Sequence, residues 1–169
     1  LEYDLNIEVL NAKHFGLPQN RERIFIVGFK EANNFQFPEP SMEKTRLGDI
    51  LHKNASDKLT ISDRLGTSHQ KRKKRAKEKG YGFGYSLFNR DSEYTSTISA
   101  RYYKDGSEIL IDTGGETPRR LTPRECARLM GFDDGYVIPV SDTQAYRQFG
   151  NSVVVPVVEQ IADELVSHL

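Results

Sequence analysis

A continuous apolar run at positions 24–29, IFIVGF, is the sequence feature that most constrains how this chain folds. Apolar and polar residues alternate at positions 7–10, as in a strand with one covered face, whereas the run at 24–29 does not alternate and predicts a strand buried on both faces. Gly16 and Pro18 break the sequence between them, so a loop joins the two strands. Because ligand-binding groups of open α/β sheets lie at strand ends, the sequence predicts an α/β fold with a candidate site at this loop.

The loop places two arginines directly before the apolar run. Gln19, Arg21 and Arg23 alternate along it. An arginine presents a planar fork of donors that stays charged, which suits a phosphate or the carbonyl and ring edge of a base. The alternative is an ion pair with Glu22 at the sheet rim, and the spacing alone does not separate the two interpretations.

The composition excludes several classes of protein. The 24 basic and 24 acidic side chains cancel, so any surface that binds a polyanion must come from local charge. The single cysteine excludes an internal disulfide and a cysteine-based zinc cluster, and the four histidines show no ligand spacing, so no metal site is expected. The longest apolar run is far shorter than the roughly 20 residues that span a bilayer, so we expect a soluble cytoplasmic protein without a membrane partner.

The strongest local charge lies at positions 71–79, where seven of nine residues are Lys or Arg. Such a run is best explained by phosphates that neutralise it, with binding that depends steeply on salt; the alternative is a solvated, half-disordered loop. Tyr81, Phe83 and Tyr85 follow at alternate positions, interleaved with glycines. On a strand they would share one face and would serve either as base contacts or as a small hydrophobic face.

A β pattern continues at positions 96–111, where two strand-like segments flank Asp105-Gly106, a pair typical of a tight hairpin turn. Helical signals follow. Thr122 and Glu125 form a capping box around Pro123, and Ser141 marks a second helix start. The predicted helices cover positions 122–131, 141–150 and 154–165, with Pro156 in the first turn of the last.

Two features suggest other chemistry. Cys126 follows Arg124 early in its helix, a setting that can activate a thiol, but it shares an apolar face with Leu129 and is interpreted as a buried structural thiol. The triplet Asp112-Thr113-Gly114 is similar to the active-site triplet of aspartic proteases, in which two carboxylates share a proton. The next residue is a second glycine where that family has Ser or Ala, which weakens this alternative.

Three blocks together resemble the bacterial DNA (cytosine-5)-methyltransferases. "FGLPQNRERIFIVGF" is similar to the family's Gln-x-Arg-x-Arg motif, "RRLTPRECARLMGF" to its penultimate motif and "QFGNSVVVPV" to its last, in the family's order. The sequence between them is most similar to the subgroup typified by the enteric DNA cytosine methylase, a resemblance that implies CC(A/T)GG as a candidate target. The resemblance implies the C-terminal part of a Rossmann-like mixed sheet plus a mostly β target recognition domain. It assigns positions 1–44 to terminal strands of the catalytic domain, 45–140 to target recognition and 141–169 to the final motif and its returning helix.

The resemblance also implies roles for individual residues. In this family the cytosine is flipped out of the duplex, a cysteine attacks it, and S-adenosylmethionine gives a methyl group to C5. Arg23 would touch the flipped base, Arg21 a phosphate or a pocket carboxylate, and Gln19 would order the loop. Asn151 and Ser152 would lie on the cofactor side. The candidate contacts to double-stranded DNA are Lys71, Arg72, Lys73, Lys74, Arg75, Lys77, Tyr81, Phe83, Tyr85, Thr97, Ser99, Arg101, Tyr102 and Lys104.

One departure from the family pattern limits what this chain can do. The glycine-rich cofactor motif, the Pro-Cys nucleophile motif and the Glu-Asn-Val motif all precede the first block in the family, and none occurs at positions 1–169. Cys126 belongs to the penultimate block and does not replace the nucleophile. We therefore expect a C-terminal part of a restriction-modification methyltransferase that is inactive until an N-terminal segment completes it. Without that segment, the strand at 24–29 and the apolar helix face at 154–165 would lack cover. The alternative is a stand-alone, non-catalytic DNA-binding module.

Overall fold

The computed structural model describes residues 2–41, 43–54, 57–81 and 85–168. It is a mixed α/β structure, which confirms the predicted class, and its regular elements are short apart from one strand pair and three helices. The elements in chain order are β1 (Asp4–Asn11), β2 (Glu22–Phe29), α1 (Asp63–Glu78), β3 (Leu87–Phe88), α2 (Tyr102–Asp105), β4 (Leu110–Ile111), α3 (Pro123–Leu129), α4 (Asp142–Asn151) and α5 (Val155–Ser167), with 3₁₀ turns at Ala12–His14, Leu47–Asp49 and Asp57–Leu59.

Strands β1 and β2 pair antiparallel, as the two apolar patterns predict. In β2, the side chains of Phe25, Val27 and Phe29 pack against the core. The side chains that alternate with them point the other way: Ile24 and Ile26 are each 61% exposed. The prediction of a strand buried on both faces is therefore wrong for the described chain, because nothing in it covers the second face.

The second face of the strand pair forms an apolar stripe. Ile7 lies opposite Ile26, and Val9 lies opposite Ile24. Alternate residues of a strand share one face, so the exposed side chains of the two strands lie side by side. We refer to the following exposed residues as the bare sheet face: Tyr3, Leu5, Ile7, Val9, Ile24 and Ile26.

The basic run folds as helix α1 rather than as a loop. Ser62 caps it, with its hydroxyl accepting a hydrogen bond from the Leu65 N–H. Lys, Arg, Gln, Glu and Ala are good helix formers, and cations are favoured near a helix C-terminus, so the run is locally well suited to this conformation. Apart from β3 and β4, which pair in parallel over two residues each, the described part of positions 45–140 contains only isolated bridges, which is less β structure than expected.

The hairpin predicted at Asp105-Gly106 is wrong. The segment before it forms the short helix α2, and Gly106 ends that helix in the left-handed conformation with φ of 61°. A glycine with positive φ serves a hairpin turn and a helix C-terminus equally well, so the local signal was ambiguous. The fully buried Tyr102 decides the outcome, because its hydroxyl donates to the Ile109 carbonyl and accepts from the Leu121 N–H.

The three predicted C-terminal helices are confirmed. Thr122 and Glu125 form the capping box of α3, and Ser141 caps α4. Helix α5 starts with Pro156 in its first turn. The expectation that its apolar face lacks cover is wrong, because Val157 and Ile161 are buried in the chain's own core.

One hydrophobic cluster includes buried residues from all three expected segments. Leu10 comes from the first, Tyr102 from the second and Ile161 from the third. Cys126 lies within this cluster with no exposed surface, and burial, followed by the charge of Glu125, raises the pKa of its thiol well above the ordinary value. A protonated, inaccessible thiol is the structural cysteine that the sequence indicated.

Candidate functional site

Gln19 lies at the centre of the predicted site, with no exposed surface. Its Nε2 donates to the Leu129 carbonyl at 3.0 Å, and its Oε1 accepts from the Ile98 N–H at 3.1 Å. One side chain thus joins the loop before β2 to the end of α3 and to the segment that follows β3. A buried carboxamide whose donor and acceptor are both used fixes these three parts of the chain relative to one another.

Arg21 is 4% exposed and donates to three backbone carbonyls. Its Nη1 bonds the Ile98 carbonyl at 3.1 Å, and its Nη2 bonds the carbonyls of Gly150 at 3.3 Å and Ser152 at 2.9 Å. Burial, and then the charge of Arg23, lower the pKa of Arg21 to about 10. No carboxylate within the described ranges forms an ion pair with it, and its Nε has no hydrogen-bond partner there.

Segment 95–100 runs beside the loop and is held along its length. The Thr95 N–H donates to the Pro18 carbonyl, and the Asn20 N–H donates to the Thr95 carbonyl, both at 2.8 Å. The Thr97 hydroxyl donates to the Asn20 carbonyl at 2.7 Å. These bonds continue the contacts of Gln19 and Arg21 with Ile98, so the predicted recognition segment is fixed against the predicted base-pocket loop.

Gly150 supports the same segment from helix α4. A Cβ added there would lie 2.3 Å from the carbonyl carbon and oxygen of Ser99, so only glycine permits this approach. Sequence reasoning treated Gly150 only as a helix end, although a glycine inside a helical pattern is itself a signal of close packing. We refer to Gln19, Arg21 and Gly150, which together fix segment 95–100, as the clamp.

Arg23 lies next to the clamp but is exposed, and its Nη1 donates to the Glu22 carbonyl at 2.6 Å. It borders a cleft of about 200 Å³ that brings the two predicted groups of residues together. Arg21 and Arg23 line one part of this cleft, Asn151 and Ser152 another, and the rest is largely apolar. The structure therefore places the predicted base-pocket and cofactor-side residues in one site.

The remaining candidate DNA contacts, which lie on and around α2, differ in their exposure to solvent. Arg101 and Lys104 are exposed, whereas Ser99 is half-buried, with its hydroxyl donating to Glu108 at 2.7 Å. Tyr102 has no exposed surface and bonds within the core, so its assignment as a DNA contact is not compatible with its position. The sequence did not reveal this because the tyrosine looks like one more aromatic residue of a recognition loop.

Helix α1 presents the predicted phosphate contacts to solvent. Lys71, Arg72, Lys73, Lys74, Arg75 and Lys77 are all exposed. Arg72 also pairs with Asp105 at 3.3 Å, and the Lys73 ammonium lies 5.2 Å from the centre of the Tyr85 ring. Tyr81 is 63% exposed, while Phe83 lies outside the described residues, so the predicted shared aromatic face stays a prediction.

Three further observations bear on other functions. Asp112 is exposed, and its carboxylate accepts the N–H of Gly114 at 2.8 Å, which is the geometry of a simple turn. Within the described ranges, no group of three or more His, Cys, Asp or Glu side chains could hold a metal ion. None of the described helices is both long and apolar enough to cross a membrane.

The sequence is similar to those of several methyltransferases. It is 57% identical over 174 residues to the Type II methyltransferase M1.ScrFI of Lactococcus lactis subsp. cremoris, an alignment that covers 100% of this chain and 45% of the relative. It is 43% identical over 188 residues to the DNA-cytosine methyltransferase of Escherichia coli strain K12, covering 92% of this chain and 39% of the relative. The chain thus spans about half the length, or less, of these relatives.

Solved structures share the fold. The S. pombe Dnmt2 methyltransferase matches with a TM-score of 0.76 at 20% identity, over 98% of this chain and 58% of that one. The Entamoeba histolytica methyltransferase EhMeth matches with a TM-score of 0.76 at 17% identity, over 98% and 54%. The family model for the C-5 cytosine-specific DNA methylase matches residues 1–167. The chain belongs to the C-5 cytosine-specific DNA methylase family.

Proposed function

We propose that this chain is the target-recognition and C-terminal part of a DNA cytosine-5 methyltransferase, active only when an N-terminal segment completes it. The observation that carries this proposal is the cleft in which Arg21 and Arg23 meet Asn151 and Ser152. Three separate parts of the chain, the loop before β2, segment 95–100 and the end of α4, are locked together at this cleft by the clamp. Such a preorganised arrangement suits the binding of an extruded base.

The two arginines have different proposed roles. Arg23 is exposed at the cleft and its guanidinium is proposed to contact the flipped cytosine. Arg21 uses three of its five N–H groups on backbone carbonyls, so it can offer an anion its charge, its Nε–H and the second N–H of Nη1. A buried guanidinium without a carboxylate partner favours a phosphate or carboxylate nearby, because a charge in low dielectric is otherwise costly.

The cofactor side of the cleft fits a polar nucleoside. Asn151 exposes a carboxamide, and Ser152 lies half-buried next to Val154 and Val157 on the cleft wall. Donors and acceptors beside an apolar wall suit S-adenosylmethionine, which supplies the methyl group when bound. We assign Asn151 and Ser152 to its recognition, with most of its binding left to the N-terminal segment.

Double-stranded DNA is the proposed substrate. The exposed cations of α1, together with Thr97, Ser99, Arg101 and Lys104, form the proposed DNA surface, from which the buried Tyr102 is omitted. Contacts of cations with phosphates give affinity and orientation, whereas segment 97–101 lies beside the cleft and is better placed to read bases. Such a substrate would bring the protein to the nucleoid.

The bare sheet face supports the need for an N-terminal segment. Monomeric soluble proteins seldom expose a contiguous apolar surface of this kind, and here the face belongs to the same strand pair whose other side forms the core. The relatives carry more than half of their length outside the aligned region. The proposed cover is the apolar surface of that additional segment.

Complementation tests the proposal. This chain is mixed with a polypeptide that carries the family's cofactor, Pro-Cys and Glu-Asn-Val motifs, and transfer of labelled methyl groups to cytosine C5 of duplex DNA is measured. We expect transfer only from the mixture. The double substitution of Ile7→Glu and Ile26→Glu should lower transfer about a hundredfold, because two charges would have to be buried on association.

The matched control for that variant is Val166→Glu, which places a charge at a 70% exposed apolar residue of α5 that does not belong to the bare sheet face. It should leave transfer unchanged. Transfer by this chain alone, or no transfer from the mixture, would overturn the proposal.

A stand-alone DNA-binding module remains the second candidate, because the clamp and the basic helix are complete within this chain. The same experiment separates the two functions. DNA binding with equal affinity in the presence and absence of the N-terminal polypeptide, without any methyl transfer, supports the binding module.

A further inference from the structure

Helix α1, which is described along its whole length, has one buried side chain, that of His69. His69 is 1% exposed, while the lysines and arginines around it lie in solvent. A helix with so small an apolar face gains little stability from packing, so the contacts of this one side chain largely decide where the helix lies.

The contacts of His69 connect α1 with two other parts of the chain. Its ring is parallel to that of Tyr85, with an interplanar angle of 2° and 6.1 Å between ring centres. Its Nδ1 lies 2.9 Å from Nη2 of Arg72, and both terminal nitrogens of Arg72 lie 3.3 Å from Oδ2 of Asp105. Lys73 on the same face of the helix lies over Tyr85. This face of α1 is therefore used for anchoring, while the other cations of the helix, Lys71, Lys74, Arg75 and Lys77, remain exposed without these contacts.

The geometry defines the protonation state of the histidine. A guanidinium can only donate, so Nδ1 of His69 is the acceptor and carries no proton. The proton of the neutral ring is then on Nε2, which is buried without a hydrogen-bond partner within the described chain. An apolar residue at this position would remove the acceptor that Arg72 uses.

Asp105 is the point at which α1 meets the recognition region. It is the last residue of α2, the helix whose Lys104 and whose preceding Arg101 are exposed to solvent. Its second oxygen accepts the Ser107 N–H at 3.1 Å, which holds the carboxylate in position for Arg72. The buried hydrogen bond from the Tyr102 hydroxyl to the Ile109 carbonyl in turn fixes α2 to the core.

We propose that His69 and Asp105 are positioning residues that dock the basic helix on α2 and hold its phosphate-binding lysines in register with segment 97–101. The inference rests on the proposed function and adds to it how recognition is organised. Cations on an undocked helix would still attract DNA, but the affinity they contribute would be the same for every sequence. When the helix is docked, its phosphate contacts and the base contacts of segment 97–101 can form together only at one position of the protein along the DNA.

Docking is expected to weaken in mild acid. Burial, and then the charge of Arg72, lower the pKa of His69, while Asp105 opposes this. Tyr85 stacks on the ring, and Lys73 lies over Tyr85. Because the docked state disfavours the protonated ring, the undocked state binds more protons once the pH falls below about 6.5. Stability of the docked state is therefore complete above that pH and is lost as the pH falls.

Hydrogen exchange of the α1 amides in this chain measures docking directly. Asp105→Asn removes the charge that holds Arg72 but keeps the turn with Ser107, and we expect α1 protection to fall about threefold to tenfold. Asp112→Asn is the matched control, since Asp112 makes the same kind of turn with Gly114 but pairs with no arginine among the described residues; it should leave α1 protection unchanged. His69→Ala should reduce protection at all pH values, whereas His69→Gln, which retains an acceptor, should restore it and remove the loss between pH 7 and 5.5.

DNA selectivity is measured with the completed enzyme on a duplex pool randomised over about ten base pairs, where methylated sites are read by sequencing. Asp105→Asn deletes a negative charge, so affinity for the pool should stay equal or rise, while the selectivity of methylation falls. A residue that served only stability would lower both. Wild-type protection and selectivity in both Asp105→Asn and His69→Ala would overturn the inference. Absence of methylation and of DNA binding by the wild type would instead overturn the proposed function.

Discussion

The clamp and the basic helix hold their charged groups in opposite ways. In the clamp, Arg21 is buried and bonded to three carbonyls, and its position is fixed before any ligand arrives. On α1, the lysines and arginines lie in solvent, and His69 is the one buried side chain of the helix. The difference indicates that geometry at the cleft is determined by the fold, whereas charge on α1 is available to any polyanion that approaches.

This contrast has an energetic consequence. A buried polar group that loses its partner costs its full desolvation, while an exposed charge contributes little to stability. Substitutions in the clamp should therefore change the free energy of unfolding, and substitutions on the solvent face of α1 should change DNA binding instead.

Arg21→Met should give the largest effect. The substitution leaves the carbonyls of Ile98, Gly150 and Ser152 without this donor, and we expect the free energy of unfolding in urea to fall by about 3 kcal/mol. Arg23→Met is the matched control two residues away; its guanidinium is exposed, and its loss should cost less than about 0.5 kcal/mol. Equal losses from the two variants would remove the distinction between a buried, structural arginine and an exposed, functional one.

Gly150→Ala tests the other side of the clamp. The added Cβ would lie 2.3 Å from backbone atoms of Ser99, which cannot move independently of segment 95–100. We expect a loss of about 2 kcal/mol in the free energy of unfolding, measured by the same urea titration. A variant as stable as the wild type would mean that segment 95–100 is not held against α4.

The sequence predicted those parts of the fold that have strong local signals. The apolar patterns predicted both strands of the β1–β2 pair, and the capping residues Thr122 and Ser141 predicted where α3 and α4 begin. Local signals failed where two structures use the same residue. Gly106 suits a hairpin and a helix end alike, and the burial of Tyr102, a tertiary effect, selects the helix.

The candidate site was predictable in its residues but not in its connections. The motif placed Gln19 and Arg21 at the site, yet Gln19 bonds residues 79 and 110 positions away, and no pattern in the sequence indicates such partners. The charge of the basic run predicts phosphate binding, but its helical state is indicated instead by its helix-forming residues and its Ser62 cap. The role of His69 was missed because a single histidine in a basic run has no distinctive spacing.

Gly66→Ala makes the same chemical change as Gly150→Ala, but on α1. A Cβ at this position would lie 3.7 Å from its nearest described neighbour, the Ile61 side chain, which is an ordinary van der Waals contact. Alanine is favoured over glycine inside a helix by about 1 kcal/mol, so α1 should become more stable and its amides should exchange more slowly. Faster exchange would show that α1 is not an ordinary solvated helix, and the contrast with the clamp would fail.

The smallest effect on stability is expected from Lys74→Ala, whose ammonium is exposed on α1. The free energy of unfolding should change by less than about 0.5 kcal/mol. Binding to duplex DNA should nevertheless become less sensitive to salt, with the slope of log affinity against log salt falling by about one if the lysine contacts one phosphate. Lys44→Ala, an exposed lysine outside α1, should leave that slope unchanged.

These two measurements on Lys74→Ala decide the nature of the basic helix. If Lys74 is a solvated cation that contacts a phosphate, its removal should reduce the salt slope without lowering stability. The reason is that its charge does not contribute to the folding of the chain by itself. A loss of stability without a change in slope would make Lys74 resemble Arg21 of the clamp. The charge on α1 would then belong to the fold, and the proposed DNA surface would have to lie elsewhere on the protein.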